Sequence, residues 1–97
     1  MHRDDTREDV LKRRARRLAK QGDFRRAAVA LREHAALTGD AASYVALGDM
    51  LRRARRVPAA SGALKRGMYL HRRCGASGRA QTVARMIIAL DPWQRAS

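Results

Sequence analysis

"LAKQGDFRRAAVAL", residues 18–31, reads as the end of one helix, a tight turn and the start of another. Leu18 closes an apolar stripe begun by Leu11 and Ala15, at the spacing of one helix face. "QGD" at 21–23 then breaks the pattern, with Gly22 free to take a backbone conformation closed to most residues and Asp23 suited to an N-cap. Beyond it, Phe24, Ala27, Ala28, Leu31 and Ala35 return on one side of a second helix. The apolar spacing is helical throughout, so the stretch predicts a helical hairpin.

The same reading extends to both ends of the chain. Further turn signals fall at "TGD" 38–40, "RVP" 56–58 and "CGASG" 74–78. The first helix starts at "TRED", where Thr6 is a cap and Asp9 stands three residues on. A third helix follows Asp40 and carries Tyr44, Leu47, Gly48, Leu51 and Ala54 on its apolar side. Pro58 suits the first turn of a fourth, which carries Ala60, Leu64, Gly67, Met68 and His71. Ser77 is expected to cap a fifth, with Ala80, Val83, Ala84, Ile87 and Leu90, and Pro92 to follow its end. The fold class expected is all-α, with about five antiparallel helices.

Turns recur about every 17 residues and helix pairs about every 34, which is the tetratricopeptide period. "LAKQGDFRRAAVAL" resembles the part of a tetratricopeptide (TPR) repeat that ends helix A, turns and begins helix B. Ala15, Leu18, Ala27 and Leu31 stand at its small and large consensus positions. A second copy, "YVALGDMLRRARRVPAASGAL" at 44–64, matches at Tyr44, Leu47, Gly48, Leu51, Ala60 and Leu64, although its turn lacks the usual glycine. The resemblance implies a TPR-like helix-turn-helix array over residues 8–92, two repeats and a capping helix, between tails at 1–7 and 93–97. The fifth helix is open in phase, because "CGASGRA" followed by "ALDP" also reads as a turn into a helix B.

Composition narrows the function classes. A chain of 97 residues is most simply one domain, and folding buries roughly 60–65% of its unfolded surface. That leaves little room for an enclosed cleft beside a core. Alanine and arginine occur 19 times each, and both favour helix. The ratio of 19 arginines to 3 lysines points to GC-rich codon usage and a bacterial source. Codon bias does not explain a net charge of +13, since Asp and Glu total only nine. Such an excess attracts acidic proteins and nucleic acid. The single cysteine, Cys74, excludes an internal disulfide and fits a reducing compartment. No apolar run approaches a membrane span, and "MHRDDTRED" lacks a signal-peptide core. A soluble cytoplasmic protein that does not bind membranes is expected.

The pentapeptide "RRARR" occurs at 13–17 and again at 52–56, a separation of 39 residues that misses the 33-residue repeat. On helical wheels Lys12, Arg13, Arg16 and Lys20 oppose the first helix's apolar stripe, and Arg52, Arg53 and Arg56 oppose the third's. Arg55 falls near the third helix's stripe. The TPR resemblance implies that these two faces line one concave groove, which would receive an acidic protein segment. An ordinary solvated helix face explains their placement but not the shortage of acids beside them. Lys12 matches a lysine of the family's carboxylate clamp, while Arg16 and Ala46 replace its asparagines. Nucleic-acid binding is the main competitor, on charge alone; no zinc spacing, basic zipper or stacking platform accompanies it.

Met86, Ile87, Ile88 and Leu90 spread around most of the fifth helix, whereas a capping helix needs a polar outer face. Met86, Ile87, Ile88 and Trp93 are therefore candidates for self-association into a homo-oligomer. Catalysis finds no constellation: His71 and Cys74 are three apart with no orienting acid. His2, His34 and His71 lack metal-ligand spacing, and no glycine-rich phosphate loop is present. The sequence thus points to a non-enzymatic interaction adaptor without cofactor or metal.

Overall fold

A helix boundary lies at each of the four turn signals. The computed structural model describes residues 6–95, with side chains as far as Leu90. Its helices are α1 (Arg7–Lys20), α2 (Phe24–Thr38), α3 (Ala41–Arg53), α4 (Val57–Arg73) and α5 (Ser77–Arg95). The described residues contain no strand, and the fold is all-α. Thr6 accepts from the Asp9 N–H at 3.1 Å and Asp23 from the Arg26 N–H at 3.2 Å, so both sequence-read caps form. Asp40 holds the N-cap position of α3 without a side-chain cap bond; its own N–H donates to Thr38 Oγ1.

The fifth helix differs from expectation at both ends. Its first helical residue is Ser77, and the Ala80 N–H donates to the Ala76 carbonyl, so Ser77 stands one residue inside the helix and not at its cap. At the other end α5 continues past Pro92 to Arg95. A proline removes one donor, and so close to a helix end few intrahelical bonds depend on it.

Three of the four turns share one geometry. In the α1–α2 turn Gly22 has φ 79°, and the Asp23 N–H reaches back to the Leu18 carbonyl at 2.9 Å. In the α4–α5 turn Gly75 has φ 75°, with Ala76 bonded to His71 at 2.8 Å. The α3–α4 turn makes the same bond from Arg56 to Leu51, 2.8 Å, but its left-handed residue is Arg55, φ 65°. These are Schellman closures, which normally place glycine at the left-handed position. The α2–α3 turn differs: Gly39, φ 68°, donates to Ala35 in the shorter left-handed cap. The turn into α5 is therefore of the same kind as those of α1–α2 and α3–α4.

Each helix packs chiefly on its chain neighbours, and the Cα envelope measures 52 × 32 × 17 Å. The smallest dimension holds about two layers of helices at an interaxial distance of about 8–10 Å. The core is correspondingly a strip: Leu11 and Ala15 from α1, Ala28 and Leu31 from α2, Leu47 and Leu51 from α3, Ala60 and Leu64 from α4, Val83 and Leu90 from α5. Residues 33 apart occupy like places, with Ala27 and Ala60 both fully buried and Leu31 and Leu64 both in the core. Glycine brings α3 and α4 close: a Cβ at Gly48 would fall 2.6 Å from Leu64, and one at Gly67 would fall 2.7 Å from Val45 Cγ2. Gly62 and Gly78 have neither a turn nor a close neighbour to require them.

Candidate basic interface

The arginines of α3 are organised by one carboxylate. Asp49, a turn earlier on the same helix, receives Arg52 Nη2 on Oδ1 at 2.6 Å and Arg53 Nε on Oδ2 at 3.2 Å. Two guanidiniums thus share a single negative charge. Arg53 is held from another side as well, with its guanidinium 5.5 Å from the centroid of the Phe24 ring at the start of α2. Both sit in the last turn of α3, where the helix dipole favours cations.

Arg56 does not continue this face. The helical wheel that aligned it with Arg52 and Arg53 ends with α3 at Arg53, and the next three residues form the turn. Arg56 becomes the N-cap residue of α4 and lines a depression toward α2 with Arg25, Arg32, Val29, Leu51 and Ala59. The residue that joins Arg52 and Arg53 instead is Arg55. Together with Val57, Ala89 and Leu90 these three arginines line a cavity of about 620 Å³ between the α3–α4 turn and the far part of α5. Sequence reasoning missed Arg55; the signal was the absence of glycine at that turn.

Lys12, Arg13, Arg16 and Lys20 are exposed on α1, opposite the buried Leu11 and Ala15, as the sequence implied. α1 and α3 both pack on α2, and the cavity lined by Arg52 and Arg53 includes no residue of α1. A second cavity lies between α3 and α5, lined by Ala42, Val45, Ala46, Asp49, His71, Arg79 and Met86. Asp49 belongs to its wall, so the α3 face runs from apolar residues through Asp49 to the arginine pair.

Tyr44 and Tyr69 are engaged by arginine. Arg66 lies 5.8 Å from the Tyr44 ring and 5.9 Å from the Tyr69 ring, and Arg73 donates to the Tyr69 hydroxyl at 3.2 Å. Met86 and Ile87 pack against the core and Ile88 is 63% exposed, while the Trp93 side chain lies outside the described residues. His71 is buried and Cys74 is exposed at the C-cap of α4. Among the described residues no three or more His, Cys, Asp or Glu side chains gather as a metal site, and no helix is long and apolar enough to cross a membrane. Compared with known proteins, the chain matches no family model, no curated protein and no solved structure.

Proposed function

We propose that this protein is a small, non-enzymatic, TPR-like adaptor that binds an acidic protein segment along its arginine-bearing helices, in the cytoplasm. The observation that carries this reading is the arrangement of Arg52, Arg53 and Arg55 around a cavity, with Asp49 the one carboxylate paired to them among the described residues. A repeat architecture is supported by the 33-residue correspondence of Gly22 with Arg55, Ala27 with Ala60 and Leu31 with Leu64. Encounter would be steered by charge and followed by packing of the partner's apolar residues, so affinity falls with salt.

The alternative, phosphate-directed binding of nucleic acid, draws on the net charge of +13. One titration series separates the two. A labelled acidic peptide and a labelled DNA duplex are each titrated with the protein at rising salt, with anisotropy as the readout. The adaptor reading expects saturable peptide binding that outlasts DNA binding as salt rises. Tight duplex binding with no peptide binding would establish the nucleic-acid reading instead.

A further inference from the structure

The cavity between the α3–α4 turn and α5 has two chemistries in one space. Arg52, Arg53 and Arg55 contribute cationic donors to its lining, and Val57, Ala89 and the largely buried Leu90 contribute apolar atoms. Its volume, about 620 Å³, is ample for an aliphatic side chain together with neighbouring carboxylates. Arg53 is fixed by Asp49 and Phe24 before any ligand arrives, which lowers the ordering cost of binding. Arg55 has no ion pair among the described residues, and it occupies a left-handed position that glycine fills in the two sister turns.

We propose that this cavity is the anchoring subsite for an acidic peptide segment that carries one large aliphatic side chain. The aliphatic group packs on Val57, Ala89 and Leu90, and flanking carboxylates pair with Arg52, Arg53 and Arg55. The proposal rests on the acidic-partner reading and adds a sequence requirement to it. A phosphate backbone alone leaves the apolar lining of the cavity unused, whereas an amphipathic acidic segment engages the cationic and apolar residues together.

The test uses the full chain and two fluorescein-labelled peptides of glutamate, one with a central leucine and one with a central serine. Anisotropy titrations at physiological ionic strength are expected to show the leucine peptide binding about tenfold more tightly. Ala89→Glu places a carboxylate at the cavity on an exposed helix position, and Arg55→Gly keeps the turn while removing a cation. Each is expected to weaken the leucine peptide about tenfold, and Ala89→Glu to erase its advantage over serine. Circular dichroism checks that both variants keep the helical fold. Equal affinity for the two peptides, or a leucine preference that survives in Ala89→Glu, overturns the subsite and leaves the acidic-partner reading standing. Failure of both peptides to bind overturns the subsite and that reading together.

Discussion

The side chain of Leu64 lies so close to Gly48 that no methyl group fits between them, since an added Cβ would sit 2.6 Å from both Leu64 Cγ and Cδ2. Leu64 is fully buried, and the Ala60 carbonyl stands 3.2 Å from the same point. Neither the side chain nor the backbone has space to retreat. Gly48→Ala is therefore expected to destabilise the fold by about 1–3 kcal/mol, the usual cost of overpacking. Gly62→Ala is the control, because nothing lies within 4 Å of its added Cβ. It should gain roughly 0.5–1 kcal/mol from helix propensity. Urea denaturation of both variants reads the contrast, and shifts of the same sign would refute the close α3–α4 contact.

Arg55 and Gly75 perform the same turn with different residues, and their substitutions should move stability in opposite directions. Arg55→Gly removes a side chain from a left-handed backbone and is expected to stabilise by about 0.5–1 kcal/mol. Gly75→Ala introduces that conflict and should cost about 1 kcal/mol. Thermal denaturation of the two single variants measures both effects. A loss of stability in Arg55→Gly would mean that the Arg55 side chain contributes more than its backbone conformation costs.

Much of this architecture was legible because helix boundaries are local. Thr6, Asp23 and Pro58 announce helix starts by their own chemistry, and the stripes of α1 to α4 contain most of the core. Leu18, Phe24 and Ala54 are only half-buried, however, and Ala30 joins the core outside its stripe. The ends of α5 were misread, since Ser77 serves equally at the cap or one residue inside, and Pro92 falls where few helical bonds remain to be lost. The basic site was legible in composition but not in placement. A helical wheel carried from Arg53 to Arg56 assumes a helix that has already ended, so it exchanged the roles of Arg55 and Arg56. The cavity depends on where α5 lies beside α3, and pair spacing along the chain does not encode that.

A buried polar pair joins α2 to α3: His34 Nδ1 lies 2.7 Å from Ser43 Oγ, with both residues nearly excluded from solvent. Removing the hydroxyl leaves a ring nitrogen without its partner, so Ser43→Ala is expected to cost about 1–2 kcal/mol. His34→Leu should then cost less in the Ser43→Ala background than in the wild type. A double-mutant cycle by denaturant unfolding checks this, and strict additivity would show that the bond contributes nothing.

Charge reversal asks whether α1 and α3 act on one ligand. Arg16→Glu and Arg52→Glu change exposed positions, so the far-ultraviolet circular dichroism of the double variant should match the wild type. Acidic-peptide affinity should fall at least tenfold in that variant, with Arg52→Glu alone responsible for the larger part because Arg52 lines the cavity. A double variant that binds as well as the wild type would remove the basic interface. An Arg16→Glu single variant with unchanged affinity would confine the interface to α3 and α5.

The two terminal helices of the strip differ in how they meet solvent. α1 turns Lys12, Arg13, Arg16 and Arg17 outward, whereas α5 exposes Gln81, Thr82, Arg85, Ile88 and Ala89. Met86 and Ile87 are partly buried against the core, so among the described residues of α5 the large apolar side chain free to pair two chains is Ile88, which is 63% exposed. Self-association predicts a concentration-dependent mass for the wild type in sedimentation equilibrium. Ile88→Glu should be monomeric across the same range, with the helical circular dichroism of the wild type, because an exposed helix position contributes little to folding. A wild type that stays monomeric at every concentration would leave Ile88 as a solitary surface hydrophobe, a common and neutral feature of folded proteins.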